Sequence, residues 1–565
     1  MEATNAARSV AELTGSGGPY ELGVARSGNA SFNVFVNAPR NLATLYRDAS
    51  ATGSDFYVYE DERYSFADAW QRAEQVAASL SAMGVEKGDR VGIAMRNYPE
   101  WILAFMGVTR LGAVVVAMNA WWSGEEMIYA IDDSGLTTLF VDRERLEHLG
   151  PYLDERDLDV IAVRTDHTSG RGVMNWASFM RVANATPPEV DVQPEDPATI
   201  LYTSGSTAHP KGVVSSHRAI IHGVVGLEAA AALRRAGSGR APRAQPHPQA
   251  MILTVPLFHV TGLNVQMLSC FRGGRKLVGM YKWDAEKALA IIEAERITQF
   301  NGVPTMAWEM VNSPNFDKYD TSSLKSMGGG GAAMAPEHTR QISRRTKGSV
   351  SPGAGYGMTE TNGLATGISG RELLERPTSC GRPVPPLVEI QIVGPDGSGL
   401  EPGRTGEIWI RGPMNFSGYW NRPEDTAATL TDGWVHTGDV GHLDAEGFLY
   451  ITDRAKDLVI RGGENIGCQE VEAVIYEHPD VAECAVFGVP DTRLGETVAA
   501  VVMPRPGRRL TAGDVRSHVG EHMARFKVPE HVWIQNESLP RTASGKIFKR
   551  SLKDQAAERL KTISS

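Results

Sequence analysis

The sequence predicts an α/β fold with largely parallel sheets, divided into at least two domains. Apolar runs of strand length alternate with stretches of helical periodicity along most of the chain, which is typical of this class. A chain of 565 residues is also longer than one hydrophobic core usually organises. Apolar residues make up 42% and charged residues 22%, as in ordinary globular proteins. We therefore expect a soluble protein of enzyme size.

The clearest unit of helix and strand spans residues 64–95. Ser65, followed by Asp68 three residues later, predicts a capping box at the start of a helix. Apolar side chains then recur at helical spacing, namely Phe66, Trp70, Ala73, Ala77 and Leu80. Gly84 predicts the end of this helix, and the run RVGIAM after it predicts a short buried strand. EWILAFMGVTRLG and AVVVAMN repeat this order, which favours helices packed on a parallel sheet.

Two interruptions divide the pattern. Residues 232–250, ALRRAGSGRAPRAQPHPQA, are rich in Gly, Pro and Arg and predict a solvent-exposed insertion. Beyond residue 400, TGEIWIRG alternates like a strand and places Ile408 and Ile410 on one face. The charged joint TDRAKD then separates two apolar runs, which indicates a hinge. We predict a flexible N-terminal tail at 1–30, a large domain at 31–453, a hinge at 454–457 and a small mobile domain at 458–565.

Charge and cysteine usage exclude several classes of function. The net charge is −10 with no basic block, which argues against nucleic acid as a ligand and against attraction to an anionic membrane. The polar N-terminus lacks the apolar core of a signal peptide, and the most apolar run, residues 108–122, is too short to span a bilayer. Four cysteines without a CxxC pair favour neither a zinc site nor a disulfide framework. A cytoplasmic protein is expected, with peripheral membrane association and a homodimer left open.

The polar run at residues 201–220, LYTSGSTAHPKGVVSSHRAI, has the composition of a phosphate-binding loop. Its clustered hydroxyls belong to Thr203, Ser204, Ser206 and Thr207. Gly205 and Gly212 let the backbone turn and present N–H groups, and Lys211 adds a positive charge. The spacing differs from the G-x-x-x-x-G-K-[ST] loop, because Pro210 precedes the lysine and Gly212 follows it. These residues favour binding of an oligophosphate, with a polar surface turn as the alternative.

This run resembles the phosphate loop of the adenylate-forming superfamily, which contains acyl- and aryl-CoA synthetases, peptide-synthetase adenylation domains and insect luciferases. That pattern usually has glycine where Ala208 stands. Other segments resemble the remaining motifs in family order, namely GGGAAM (329–334), GAGYGMTET (353–361), GWVHTGDVG (433–441), YITDRAKDLVIRGGENI (450–466) and PRTASGKIFKR (540–550). The resemblance implies a large N-terminal domain of layered α/β sheets plus a distorted β-barrel, and a small mobile α/β C-terminal domain.

The resemblance also implies roles in binding the nucleotide. Glu360 would hold Mg²⁺ on the ATP phosphates, since a hard carboxylate oxygen suits that cation. Thr359 would hydrogen-bond the α-phosphate, and Tyr356 would stack near adenine. Asp439 would accept from both ribose hydroxyls, and Arg454 would reach the ribose or the phosphates. The full set implied for ATP and AMP is Thr203, Ser204, Gly205, Ser206, Thr207, Lys211, Gly331, Ala332, Tyr356, Gly357, Met358, Thr359, Asp439, Ile451, Arg454 and Lys546.

Plainer interpretations exist for several of these residues. Without the resemblance, Glu360 would be a solvated surface acid, Asp439 would form a turn and Arg454 would join a surface ion pair. Lys546, in the turn TASGKI, would be a solvated lysine. The resemblance instead makes Lys546 the group that bridges the carboxylate and the α-phosphate, so that a positioned ammonium lowers the repulsion between two anions. Lys546, Glu360, Thr359 and His259 are therefore the expected catalytic residues.

The acyl and coenzyme A sites are implied in the same way. His259, in PLFHVTG, resembles the position beside the acyl carboxylate, with a buried core histidine as the alternative. The implied acyl pocket consists of His259, Val303, Gly330, Gly331 and Gly355. Lys456 matches the hinge position, and Gly462 and Gly463 match the passage for the pantetheine arm of coenzyme A. Cys468 is rejected as a nucleophile, because no histidine lies near it in sequence.

The predicted reaction has two steps, with ATP, Mg²⁺, coenzyme A and a small carboxylic acid as the participants. The acid attacks the α-phosphate to give acyl-AMP and pyrophosphate, and the thiol of coenzyme A then displaces AMP. Because the pocket walls carry no charged residue, an apolar acid is expected, preferably a medium or long fatty chain. Aryl and sterol-side-chain acids are alternatives, as is an acyl-AMP ligase that loads a carrier protein. A luciferase-type oxygenase and an inactive nucleotide- or acyl-binding regulator are further alternatives.

Overall fold

A computed structural model describes residues 10–27, 30–166, 172–183, 186–203, 210–237, 247–332, 334–454, 457–461, 464–491 and 493–564. A short helix at 10–14 precedes an antiparallel pair of strands, β1 (Leu22–Ser27) and β2 (Ala30–Phe35). Regular structure is therefore already present inside the segment 1–30 that we predicted as a tail.

The first large sheet contains eight strands and carries the phosphate-loop motif. Its order is β21 (Gly418–Tyr419), β11 (Lys211–Ser216), β10 (Pro197–Thr203), β6 (Val114–Ala117), β5 (Arg90–Ala94), β7 (Thr138–Asp142), β8 (Asp159–Val163) and β9 (Val173–Asn175). The strands from β10 to β9 are parallel, whereas β11 and β21 are antiparallel additions at one edge. The predicted strand RVGIAM is β5, at the centre of this sheet.

The second large sheet contains nine strands and has a similar plan. Its order is β18 (Arg382–Pro383), β17 (Thr366–Ser369), β16 (Ser351–Tyr356), β15 (Ser326–Gly329), β14 (Gln299–Gly302), β12 (Ala250–Leu253), β13 (Lys276–Gly279), β3 (Asp55–Tyr59) and β4 (Glu62–Ser65). The strands from β16 to β3 are parallel. The carboxyl ends of β12, β14, β15 and β16 therefore lie along one edge of the sheet, where ligands of such sheets usually bind.

Helices cover and separate the two large sheets. They are α1 (Leu42–Ser50), α2 (Phe66–Ala82), α3 (Pro99–Arg110), α4 (Gly124–Ser134), α5 (Arg143–Leu153), α6 (Trp176–Phe179), α7 (His217–Gly237), a π-helix (Thr261–Leu268), α8 (Ser269–Gly273), α9 (Ala285–Glu295), α10 (Pro304–Val311), α11 (Pro336–Arg345), α12 (Arg371–Glu375) and α13 (Pro423–Thr429), with short 3₁₀ turns at Phe316–Lys318 and Thr359–Thr361. Every residue of α3 except Glu100 is buried, and one apolar cluster joins α3 to strands of both sheets. A helix buried on nearly all sides has to lie inside a layered core.

Two predictions about these helices have definite outcomes. The capping box is confirmed, because the Ser65 hydroxyl accepts from Asp68 N at 3.0 Å and Ser65 N donates to the Asp68 carboxylate at 3.0 Å. The predicted insertion at 232–250 is wrong in its first part, because α7 continues to Gly237. Ala, Leu and Arg favour helix strongly enough to extend it to that glycine. Residues 238–246 lie outside the described part of the chain.

The C-terminal part adds two smaller sheets. The antiparallel third sheet contains β19 (Glu389–Val393), β20 (Gly406–Arg411), β22 (Leu430–Thr431), β23 (Trp434–Leu443) and β24 (Leu449–Arg454). The fourth sheet contains β25 (Val459–Arg461), β26 (Glu464–Ile466), β27 (Val481–Asp491), β28 (Gly495–Pro504) and β29 (His531–Ile534). The helices of this unit are α14 (Cys468–Glu477), α15 (Ala512–His522) and α16 (Lys549–Ser564), and a 3₁₀ turn lies at Arg525–Lys527. The fourth sheet has apolar clusters separate from the main core. The predicted α/β class with several sheets and a smaller C-terminal unit is confirmed.

All four cysteines are free thiols, and within the described ranges no helix combines the length and the apolar character needed to cross a bilayer.

A buried ion pair fastens three neighbouring strand ends of the first sheet. Asp142, at the end of β7, accepts from the guanidinium of Arg145 at 2.7 Å through each carboxylate oxygen. The same carboxylate accepts from Arg96 N, just beyond β5, at 3.0 Å. Arg145 also donates to the carbonyl of Ala120, beyond β6, at 2.9 Å. Because Arg145 is only 1% exposed, its loss leaves a buried carboxylate without its counter-ion.

We expect Arg145→Ala to lower the free energy of unfolding by about 3 kcal/mol, since removing one partner of a buried pair strands the other charge. Urea unfolding followed by circular dichroism measures the change. Arg143→Ala is the matched control, because Arg143 lies two residues away in an exposed pair with Glu147. Its expected effect is below about 1 kcal/mol. Equal losses in the two variants would contradict this account.

Candidate active site

The predicted nucleotide residues gather where strands of the two large sheets meet the third sheet. Thr203 ends β10 and Lys211 begins β11, and the two residues are paired across this hairpin. The Thr203 hydroxyl donates to the Lys211 carbonyl at 3.5 Å. The remaining predicted loop residues lie outside the described part of the chain, as do the predicted hinge and coenzyme A residues. They are Ser204, Gly205, Ser206, Thr207 and Ala208, and Lys456, Gly462 and Gly463.

Glu360 and Lys211 are connected through a tyrosine. Glu360 lies in the short turn after β16, only 7% exposed, and accepts a hydrogen bond from the Tyr419 hydroxyl at 2.7 Å. Burial raises the pKa of Glu360, and the bond from Tyr419 partly offsets this rise. Lys211 Nζ lies 5.2 Å from the centre of the Tyr419 ring and forms an ion pair with Asp425 at 2.6 Å. Tyr419 thus contacts a carboxylate through its hydroxyl and an ammonium through its ring.

A second carboxylate, Asp439, is held on the third sheet. It follows Gly438 in β23 and accepts from the Tyr356 hydroxyl at 2.5 Å. Its other oxygen lies 3.4 Å from Arg454 Nε, because Asp439 and Arg454 are paired residues of β23 and β24. Burial raises the pKa of Asp439, while the bond from Tyr356 and the charge of Arg454 lower it. Ile451, on β24, packs beside them against the main core. Tyr356, Asp439 and Arg454 thus lie together, while their roles in binding a nucleotide stay a prediction.

The glycine-rich segments supply a wall of bare backbone. Gly330 and Gly331 follow β15 with Ala332 exposed next to them, and Gly355 lies opposite on β16. A Cβ at Gly330 would stand 3.3 Å from the Gly355 carbonyl oxygen, and one at Gly331 would stand 3.1 Å from Lys546 Cε. Gly331 also has φ +77°, which L side chains rarely adopt. Side chains are therefore excluded from the place where the lysine enters.

The turn after β16 completes this wall. A Cβ at Gly357 would stand 2.6 Å from the backbone of Gly363. Met358 packs among Phe416 and its neighbours, and its backbone N–H donates to the Thr361 hydroxyl at 3.1 Å. Thr359 begins the 3₁₀ turn that carries Glu360. The turn is therefore fixed by backbone contacts, which orients Thr359 and Glu360 together.

Lys546 lies inside this site rather than in solvent. Its side chain contacts Gly331, and the charges of Arg454 and Asp439 act on it. Burial and, to a lesser extent, the charge of Arg454 lower the pKa of Lys546, Asp439 opposes them, and the resulting pKa is about 8. The interpretation of Lys546 as a solvated lysine is therefore wrong for this structure. Burial and a neighbouring cation both destabilise the charged form of this lysine. An anion that enters the site would therefore stabilise the ammonium.

His259 faces the same space from the large domain. It lies between β12 and the π-helix, and its Nε2 is buried with no hydrogen-bond partner in the described ranges. Burial lowers the pKa of His259 to about 3, and the charge of Lys546 acts in the same direction. The ring is therefore neutral near pH 7. Val303, 3% exposed at the start of α10, lies on the lysine side of this space, within reach of Gly545.

Sequence reasoning missed the partners that hold the predicted residues. Tyr419 binds Glu360, and Asp425 binds Lys211, yet neither was singled out. Both belong to the run GYWNRPED, which contains β21 and the start of α13 and whose aromatic and acidic residues were the available signal. The contacts join residues far apart in the chain, so local patterns could not pair them.

The residues present fit a magnesium ion held together with substrate phosphates. In the described residues there is no group of three or more His, Cys, Asp or Glu side chains that could enclose a metal. Mg²⁺ is commonly held by one or two carboxylates, substrate phosphates and water. Glu360, a buried carboxylate four residues after Tyr356, offers such an oxygen donor. Glu360 is therefore the residue that would hold this ion.

Comparison with known proteins decides the family. The pattern described as AMP-binding enzyme matches residues 45–420, and that described as AMP-binding enzyme C-terminal domain matches residues 470–546. The chain belongs to the AMP-binding enzyme family. The predicted membership of the adenylate-forming superfamily is thereby confirmed, as is the class of AMP-forming acid–thiol ligase at the level of this family.

Named members of the AMP-binding enzyme family cover nearly the whole chain. Indoleacetate–CoA ligase of Aromatoleum aromaticum is 34% identical and spans 89% of this chain and 95% of its own length. Long-chain-fatty-acid–CoA ligase of Bacillus subtilis is 32% identical and spans 92% and 95%. The solved o-succinylbenzoate CoA synthetase of Bacillus subtilis, in complex with its acyl-adenylate intermediate, has a TM-score of 0.74 at 28% identity and covers 90% of this chain and 98% of that one.

We expect Asp439→Asn to weaken AMP binding about tenfold, because hydrogen bonds to a charged acceptor are stronger than those to a neutral one. Isothermal titration calorimetry with AMP measures the affinity. Asp396→Asn is the control, because Asp396 lies in an exposed turn of the same sheet. An unchanged affinity in Asp439→Asn would exclude a contact between this carboxylate and the nucleotide.

Proposed function

We propose that the chain joins a carboxylic acid to coenzyme A in two steps, through acyl-AMP, with release of AMP and pyrophosphate. The observation that carries this proposal is the position of Lys546. Its side chain contacts the glycine wall at Gly331. Its charge interacts with those of Asp439 and Arg454, and acts on His259. An amine in that place can contact a carboxylate and a phosphate at the same time.

In the proposed first step, a carboxylate oxygen attacks the α-phosphorus and pyrophosphate leaves. Lys546 lies between the two anions and offsets their repulsion as the new P–O bond forms. Asp439 holds the ribose, and Thr359 donates to the α-phosphate. When bound, Mg²⁺ neutralises charge on the phosphate oxygens, with Glu360 as its protein ligand. The neutral His259 keeps a ring nitrogen free to hydrogen-bond the acid without adding charge.

In the proposed second step, the small domain rotates and the thiol of coenzyme A attacks the acyl carbon, so that AMP leaves. AMP is a far better leaving group than oxide, which explains why the acid is first converted to a mixed anhydride. Lys546 has to withdraw before the thiol can approach the same carbon. We propose Lys456 as the hinge residue, and Gly462 and Gly463 as the backbone past which the pantetheine arm enters.

We propose an acid with an apolar tail, in first place a medium or long fatty chain. The described residues around His259 and Val303 are small or apolar, including Met306, which is 6% exposed. An ammonium on the substrate would find no counter-ion there. The relatives' names include both an aromatic acid and long-chain fatty acids, so an aryl acid is the second candidate.

Lys546→Ala tests the division between the two steps. We expect the wild type to release pyrophosphate with ATP, Mg²⁺ and at least one member of a panel of fatty and ring acids. The variant should lose adenylation by about a hundredfold, because it lacks the group that stabilises the transition state. It should still make thioester from supplied acyl-adenylate and coenzyme A.

Lys553→Ala is the control for that experiment, because Lys553 is exposed on α16 in the same domain. Both half-reactions should persist in it. Equal loss of both half-reactions in Lys546→Ala would refute the assigned role, and a wild type that consumes no nucleotide with any acid would refute the function.

The lowered pKa of Lys546 predicts a pH dependence. The amine is charged below pH about 8 and neutral above it. The pH dependence of kcat/KM reports pKa values of groups in the free enzyme. The kcat/KM for adenylation should therefore fall as the pH rises through about 8. His259, whose pKa is about 3, stays neutral there and adds no step to this limb. Thioester formation from supplied acyl-adenylate should lack the falling limb, and a flat adenylation profile up to pH 10 would contradict the role of the ammonium.

A further inference from the structure

One arginine of the small domain joins the lysine loop to the large domain. The loop is closed by a bridge between Arg541 and Ile547, and Thr542 N donates to the Lys546 carbonyl at 2.7 Å. Arg541 Nη1 donates to the carbonyl of Gly545, the residue before Lys546, at 3.0 Å. Its Nη2 donates to Glu309 of the large domain at 3.1 Å. The guanidinium therefore touches both the loop and the opposite domain.

Glu309 is itself held firmly on α10. One of its carboxylate oxygens accepts from Trp283 Nε1 at 2.6 Å, which leaves the other to face Arg541. The first turn of α10 also meets the loop, because the Thr305 hydroxyl donates to the Gly545 carbonyl at 3.4 Å. Gly545, at φ +85°, packs so closely on this turn that a Cβ would stand 3.1 Å from both Val303 and Met306. One helix thus contacts the acyl space and fixes the lysine loop at two points.

We propose that Arg541, through its ion pair with Glu309, positions Lys546 for the adenylation step and has no role in the thioester step. This inference rests on the proposed function. Within the small domain, Arg541 also pairs with Glu483 at 2.8 Å, and Glu483 accepts from Leu539 N at 2.9 Å. The contacts with Glu483 lie within the small domain and are kept when that domain rotates. The bond between Arg541 and Glu309 exists only while Lys546 is in the site. Arg541 is a positioning residue that acts through Lys546.

Glu309→Gln is the test, because glutamine keeps the size of the side chain and an acceptor for Trp283 but removes the charge that faces Arg541. Single-turnover pyrophosphate release should slow about tenfold, since a small displacement of a catalytic group is costly. The loss should appear in kcat, with KM for ATP and the acid within about twofold. Thioester formation from supplied acyl-adenylate should stay at the wild-type rate. Arg541→Lys, which cannot hold Glu309, Glu483 and Gly545 together, should show the same split.

Glu477→Gln is the matched control for docking of the domains. Glu477 pairs with Arg340 of the large domain at 3.0 Å, so it also joins the two domains, but it ends α14 rather than lying in the lysine loop. It should leave both half-reactions within about twofold, as partly exposed pairs contribute little. In a Lys546→Ala background, Glu309→Gln should cause no additional loss of adenylation, because a residue that acts through the lysine has nothing left to position.

Three results would overturn the inference: wild-type adenylation in Glu309→Gln, an equal loss in Glu477→Gln, or an additional loss in the Lys546→Ala background. Failure of the proposed function has a different signature, because the wild type itself would then release no pyrophosphate with any acid.

Discussion

The site depends on one enclosed ammonium group. The surroundings of Lys546 lower its pKa to about 8, so the protein alone does not fully compensate its charge. Asp439 attracts the ammonium, but Arg454 repels it and Tyr356 already donates to the same aspartate. His259 adds no counter-charge, because burial holds it neutral. In the proposed adenylation step, the carboxylate and the phosphate would supply the missing negative charge, so the features that make the charged lysine costly in the free protein would favour the approach of the two anions.

The backbone around this charge is closely packed. Parallel strands bring their carboxyl ends to one edge, and adjacent glycine backbones leave no room for a side chain: a Cβ at Gly329 would stand 2.6 Å from the Gly302 carbonyl oxygen. On the first sheet, Asp142 and Arg145 fasten three strand ends in the same manner, with a buried ion pair in place of glycine packing. The backbone that carries side chains such as Glu360 is already ordered in a hydrogen-bonded turn. Less conformational entropy is therefore lost when a ligand orders those side chains.

Local patterns predicted what local physics determines. The capping box at Ser65 and the helix after it follow from neighbouring residues, and both are present. The helix that continues to Gly237 was missed because glycine and proline were given more weight than the helix formers around them. Contacts such as Tyr419 with Glu360, or Arg541 with Glu309, join distant segments and follow only from the packed fold. The nucleotide residues were placed by resemblance to a family, since no periodicity in the chain relates them.

The contacts between the domains also suit the proposed rotation. The ion pairs are partly exposed: Arg340 is 48% and Glu477 32% exposed, so each such pair contributes about 1 kcal/mol or less. Another contact is aromatic: the ring of His338 stacks on Trp308, with centroids 4.5 Å apart, and meets Tyr476 of the small domain edge-on, with centroids 5.0 Å apart. Burial lowers the pKa of His338 to about 3, and its ring nitrogens have no hydrogen-bond partner among the described residues. Separation of the domains would let water hydrogen-bond to those nitrogens. This gain in free energy offsets part of the cost of losing the aromatic contact. In the proposed reaction, such an interface would orient Lys546 for the first step and release it for the second, whereas a larger apolar interface would hold the lysine in the path proposed for the thiol.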